Sequence, residues 1–191
     1  MNARERLHSL LITKSVKTGT FTLASGRTSN FYVDARLTTM SPEGMVLIGQ
    51  LGLEEIREKG WAVDSVGGLT LGADPVAYAI SHTSAAGNAP IRAFTVRKEA
   101  KAHGTGRRIE GPFQPGDHVV VVEDVITTGK SALEAIRAIE QEAGIVSGVL
   151  AVVDREEGGR EVIAAQGYPV SSLVVKSNLI ISSSSGDFDG G

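Results

Sequence analysis

VVVVEDVITTGKS, residues Val119–Ser131, sets four consecutive valines before two acids and a turn rich in hydroxyls. Four valines in a row offer no polar face to solvent. A strand of that kind must be covered on both sides, as in a parallel sheet flanked by crossover helices. The letters predict a strand over His118–Glu123, a short loop over Val125–Gly129, and a helix over Lys130–Ala143 that stops at Gly144. In open α/β sheets, ligands bind beyond the carboxyl ends of the strands. The search for chemistry therefore starts at Glu123.

Working outward, the same alternation recurs. Towards the carboxyl terminus, Val146–Val153 reads as a strand, Glu157–Gln166 as a helix and Val170–Val175 as a last strand. Towards the amino terminus, Ile91–Val96 and Val63–Val66 read as strands. They are separated by a glycine-rich loop, Gly67–Gly72, and a helix that Asp74-Pro75 opens and Ala85 closes. Ser41-Pro42-Glu43 combines a hydroxyl cap, a first-turn proline and an acid, so a helix should run from there to Gly60. Asn2 caps a helix to about Thr13. Thr20–Leu23 and Phe31–Asp34 read as short strands around Ser25-Gly26-Arg27. The expected class is α/β: a central, mostly parallel sheet flanked by helices, with a small amino-terminal hood over residues 1–40. The α/β core should span 60–176 within one domain of 1–181. Residues 182–191, a Ser/Gly/Asp stretch, should be a disordered tail.

Composition excludes several function classes. The 191 residues hold no cysteine and carry a formal charge of -3, so neither thiolate metal sites nor a global basic field for nucleic acid is expected. His8, His82, His103 and His118 show no metal-ligand spacing. No apolar run approaches the ~18–20 residues that span a bilayer, and the first residues do not read as a signal peptide. A cytoplasmic protein with no membrane partner is expected.

The turn after Glu123-Asp124 has the makings of a phosphate cradle. A helix amino terminus leaves backbone N–H groups unpaired and partly positive. Thr127, Thr128 and Ser131 add hydroxyls, and Gly129 permits a left-handed turn. The acids suit sugar hydroxyls or a hydrated Mg²⁺ rather than the phosphate itself. Phosphate and polyol side by side describe a sugar phosphate, although a threonine-capped turn with solvated acids fits the same letters. Gly129-Lys130-Ser131 imitates the end of a nucleotide P-loop, but the glycine that motif needs five residues earlier is Asp124. Gly67–Gly72 makes a poor dinucleotide fingerprint, because Leu69 stands where the second glycine belongs. Residues 97–116 form a charged, glycine-bearing connection longer than the ~12–15 residues usual for structureless loops, and a mobile catalytic loop is expected there.

A hydrophobic strand, two acids, two residues and Thr-Thr-Gly resemble the motif of type I phosphoribosyltransferases that binds 5-phospho-α-D-ribosyl 1-diphosphate (PRPP). Arg97-Lys98-Glu99-Ala100-Lys101-Ala102-His103-Gly104 resembles the basic loop of that family's orotate branch. Gly19–Asp34, with FTLASGR at its centre, resembles the same branch's amino-terminal segment. The resemblance covers about residues 5–176. It implies the type I phosphoribosyltransferase fold and transfer of ribose 5-phosphate from PRPP to orotate, with release of pyrophosphate. It implies that Glu123 and Asp124 hold the ribose hydroxyls, that Thr127, Thr128, Gly129, Lys130 and Ser131 cradle the 5-phosphate, and that Val125 and Ile126 also belong to the PRPP site. Arg97, Lys98, Lys101 and His103 would contact pyrophosphate, with Lys101, His103 and Asp124 the catalytic groups. Thr127 and Arg155 look like orotate contacts. Mg²⁺ would ride on PRPP oxygens rather than on a protein cage, and the basic loop would be shared across a homodimer.

Two departures from the branch stand out. Ala24 occupies the place of a lysine before Ser-Gly-Arg, and Leu69-Thr70 replaces a Tyr-Lys pair. Thr70 and the backbone of Gly68 and Gly72 are candidates to serve instead. A phosphoribosyltransferase for another base, or a PRPP sensor without catalysis, stays open. Phe31 and Tyr32 either stack on a pyrimidine or pack in the hood.

Overall fold

The computed structural model describes residues 1–22, 28–99 and 108–184. In chain order the elements are α1 (Ala3–Lys14), β1 (Val16–Thr22), β2 (Thr28–Val33), α2 (Arg36–Thr39), α3 (Pro42–Glu58), β3 (Ser65–Leu69), α4 (Ala73–Ser84), β4 (Arg92–Val96), β5 (Ile109–Glu110), β6 (His118–Ile126), α5 (Lys130–Gln141), β7 (Ile145–Asp154), α6 (Gly159–Ala164), β8 (Val170–Val175) and α7 (Lys176–Ser184). The caps read from sequence hold. Asn2 and Glu5 exchange hydrogen bonds in a capping box, and Ser41 Oγ accepts from the Gly44 N–H ahead of Pro42.

The main sheet has the order β5-β4-β3-β6-β7-β8, with five parallel strands and only β5 antiparallel to its neighbour. β1 and β2 form a separate antiparallel pair. The four valines behave as a doubly covered strand should. Val120 and Val122 pack in the cluster that holds Ile48, Ile56 and Ile80, from α3 and α4. Val119 and Val121 pack with Ala135, Ile136 and Ile139 of α5. Each fully buried aliphatic side chain of this kind contributes about 1.5–3 kcal/mol, so the sheet's centre is its most firmly held part.

The elements depart from expectation in several places. β3 lies two to three residues later than expected and absorbs Gly67 and Gly68, which are ladder residues rather than a loop. A Cβ on Gly67 would stand 2.6 Å from Phe94 Cδ2, so glycine here serves close packing between strands. β6 continues to Ile126, because Val125 and Ile126 pair with Val153 and Asp154 of β7; only Thr127–Gly129 remain as the turn. β5 lies within the segment read as a single loop. α7 takes in three residues of the expected tail, with Leu179 fully buried and Ser177 N–H donating to Glu156 Oε2 at 2.7 Å. Residues 185–191 lie outside the described ones.

Candidate functional site

β6 delivers its two acids into different surroundings. Glu123 is only 5% exposed, and its Oε1 has no hydrogen-bond partner among the described residues. Burial, helped by the negative charge of Asp124, pushes its carboxyl up to about 8. Asp124 is half-buried and accepts from the Val125 N–H at 2.9 Å. Its carboxyl is also raised, by burial above all, while that N–H and Arg36 pull it back. The pair therefore resists carrying two charges in the free protein.

Past Ile126 the chain turns through Thr127 and Thr128 to Gly129, which adopts φ 77° and serves as the N-cap of α5. No side chain caps this helix, so the N–H groups of its first turn remain available to a ligand. They border a small cup of about 20 Å³ lined by Glu123 and Val125–Ala132. Gly159 backs the cup: a Cβ there would stand 2.6 Å from the Gly129 nitrogen. Any side chain at 159 would push the turn out of place.

A larger cavity of about 250 Å³ adjoins it, lined by Arg36, Leu69–Gly72, Lys98, Glu123, Asp124 and Ser131. Glu123 and Ser131 line both spaces. One end of β6 thus presents helix N–H groups and hydroxyls on one side, and carboxyls facing two cations, Arg36 and Lys98, on the other. That arrangement suits a ligand with a monoester at one end, hydroxyls in the middle and further anionic groups beyond.

The remaining expected residues fall as follows. Thr127, Thr128, Gly129, Lys130 and Ser131 are all at the cup, and Lys98 is at the cavity. The Val125 N–H is committed to Asp124, and the Ile126 side chain is buried. Arg97 pairs with Glu110 at 3.7 Å and lines neither space. Arg155 follows β7, and its N–H donates to Ile126 O at 3.0 Å, which places it beside the turn. The residue is 7% exposed rather than superficial. Nη2 stands 2.7 Å from Glu157 Oε1, yet neither it nor Nε makes a well-aligned hydrogen bond. Thr70 is engaged: its hydroxyl donates to Asp74 Oδ2 at 2.6 Å. Phe31 is buried in the core, and Tyr32 lies 5.5 Å from the Phe21 ring, so both pack in the amino-terminal layer. Ala24, Ser25–Arg27, Lys101 and His103 lie outside the described residues.

Sequence reasoning missed Arg36, and it did not foresee the packing roles of Gly72 and Gly159. Arg36 binds the Asp34 carboxylate through Nε and Nη2 at 2.8 and 3.1 Å and reaches the cavity from the amino-terminal side. The neighbouring Asp34-Ala35-Arg36 letters were a weak signal for it. Among the described residues no cluster of three or more His, Cys, Asp or Glu could hold a metal, and no helix is long and apolar enough to cross a membrane.

No family model matches the chain. Individual proteins do. The chain is 49% identical over 183 residues to an orotate phosphoribosyltransferase of Aquifex aeolicus, covering 94% of this chain and 99% of that protein. It is 51% identical over 180 residues to the protein of the same name from Corynebacterium glutamicum strain R, covering 94% and 95%. The structure superposes on Mycobacterium tuberculosis orotate phosphoribosyltransferase in complex with PRPP with a TM-score of 0.80 and 43% identity, over 93% of this chain and 99% of that one.

Proposed function

The chain belongs to the orotate phosphoribosyltransferase family, and from that premise we propose how the end of β6 performs the reaction. The enzyme joins orotate to the ribose 5-phosphate unit of PRPP and releases pyrophosphate, a step of pyrimidine biosynthesis. The 5-phosphate sits in the cup at α5, on the first-turn N–H groups and the hydroxyls of Thr127, Thr128 and Ser131. The ribose hydroxyls meet Glu123 and Asp124. A protonated Glu123 both donates and accepts, so it holds a diol without adding charge near an anionic ligand.

The pyrophosphate end extends into the larger cavity towards Lys98, and Arg97, Lys101 and His103 join it there. As the bond at ribose C1 breaks, negative charge grows on pyrophosphate while positive charge spreads over C1 and the ring oxygen. Fixed cations around the leaving group stabilise that change most where water is excluded. Asp124 lies on the sugar side, where its charge favours the developing cation. Arg155, whose Nε makes no hydrogen bond among the described residues, grips the orotate carboxylate beside Thr127.

Mg²⁺ fits this site as a partner of the substrate. Asp124, a carboxylate lining the larger cavity, suits an ion that keeps waters and phosphate oxygens in its shell. Bound there, it would neutralise pyrophosphate charge. The reading extends to a homodimer that shares the basic loop and to a cytoplasmic location.

The observation that carries the proposal is the uncapped α5 terminus beside the Glu123-Asp124 pair, with Arg36 and Lys98 lining the same cavity. The test is orotate absorbance in the presence of PRPP and Mg²⁺. Loss of orotate with one pyrophosphate formed per orotate is expected. Pyrophosphate release with adenine or hypoxanthine but not with orotate would reassign the base, and PRPP binding with no turnover of any base would make the chain a sensor.

A further inference from the structure

We propose that Arg108 and Glu134 are positioning residues that set the spacing between Lys98 and Ser131 across the larger cavity. Arg108 follows the basic segment. Its Nε donates to Arg97 O at 3.0 Å, and its Nη2 donates to Lys98 O at 3.0 Å and to Glu134 Oε1 at 2.6 Å. Its own carbonyl accepts from the Arg97 N–H at 2.8 Å. One guanidinium thus ties the stem that leaves β4 to the side of α5.

The two tied points bear on the site. Lys98 and Ser131 both line the cavity. Glu134 lies three residues beyond Ser131 on α5, so the two share a face of that helix. A planar fork can serve two carbonyls and a carboxylate at once, whereas an ammonium offers a single point of charge. The Arg108 and Glu134 side chains are 24% and 32% exposed, so the pair is half-buried. Their consequence is geometric: they hold the Lys98 backbone at a fixed offset from the helix that binds the 5-phosphate. Neither residue touches PRPP, and the proposal rests on the reading that this cavity receives its pyrophosphate end.

The test compares two ligands by calorimetry on the full chain with Mg²⁺. PRPP reaches the pyrophosphate end of the larger cavity, and ribose 5-phosphate occupies only the cup and the acid pair. In Arg108→Ala, PRPP binding should weaken at least about tenfold, while ribose 5-phosphate changes by less than about twofold. Glu134→Gln should shift PRPP in the same direction by a smaller factor. The double variant should be no weaker than Arg108→Ala, because both changes break one connection. Arg108→Lys should recover only part of the loss.

Unchanged PRPP affinity in Arg108→Ala would overturn the proposal. So would equal weakening of both ligands, which would mark a general structural role. If Arg108→Ala fails to fold, Glu134→Gln decides alone by the same ratio. A wild-type chain that binds ribose 5-phosphate but not PRPP, or neither ligand, would overturn the reading of the site itself, and this inference with it.

Discussion

The carboxylate of Asp124 occupies the space that a side chain at position 72 would fill: a Cβ built on Gly72 would stand 2.6 Å from Asp124 Cγ. The Gly72 backbone is ordinary, with φ -64° and ψ -39°, so alanine fits it without strain. Gly72→Ala should therefore act through Asp124 alone. The expected result is a KM for PRPP raised at least about tenfold, with the thermal midpoint within about 3 °C of wild type. Steady-state kinetics and a melting curve check it. An unchanged KM would mean that Asp124 is not held by this contact.

The buried proton of Glu123 makes stability depend on pH. The folded chain keeps it up to about 8, whereas an ordinary carboxyl releases it near 4.5. Between those values the native state binds more protons than the unfolded state, so stability is full below pH 4.5 and declines as pH rises through 8. The decline attributable to this group is at most about 5 kcal/mol. Glu123→Gln should lack it, becoming more stable than wild type at pH 8 and equal to it near pH 4.5. Denaturant titrations of both proteins across that range measure the difference. Parallel curves would show that Glu123 ionises freely in the fold.

The proposed grip of Arg155 on orotate is tested by separating base recognition from PRPP recognition. Lysine there keeps the charge and loses the fork. Arg155→Lys should raise the KM for orotate about tenfold or more and leave that for PRPP within about twofold. A change confined to PRPP would place the arginine at the other substrate.

Much of this was legible in the letters because the signals were local. Four valines set a doubly covered strand, Ser41-Pro42 set a helix start, and the hydroxyls after two acids marked the turn that lines the cup. Distance in the chain hid the rest. Gly67 and Gly68 read as a loop because glycine marks turns, and only their distant neighbours, Phe94 of β4 against Gly67 and Val122 of β6 with Ala73 against Gly68, explain why a strand needs them. Gly159 reads as part of the helix expected over Glu157–Gln166, and nothing local places it behind Gly129, thirty residues earlier. Arg36 sits in an element four residues long that no periodicity could announce. The extension of β6 to Ile126 depends on pairing with β7, which a single strand's composition does not report.

Sharing of the basic loop between subunits has its own test. Lys101→Ala and Asp124→Asn should each be nearly inactive. Mixed under conditions of proven subunit exchange, they should regain up to about a quarter of wild-type activity, because one hybrid site in two would carry neither lesion. No recovery would assign the loop to its own subunit.

The central claim, that the acids at the end of β6 and the uncapped start of α5 hold one PRPP molecule between them, is tested most directly by calorimetric titration of PRPP with Mg²⁺ into wild type and Asp124→Asn. The account predicts one site per chain in wild type and binding at least about tenfold weaker in Asp124→Asn, with ribose 5-phosphate weakened as well and the circular dichroism spectrum unchanged. Equal PRPP affinity in the two proteins would contradict it.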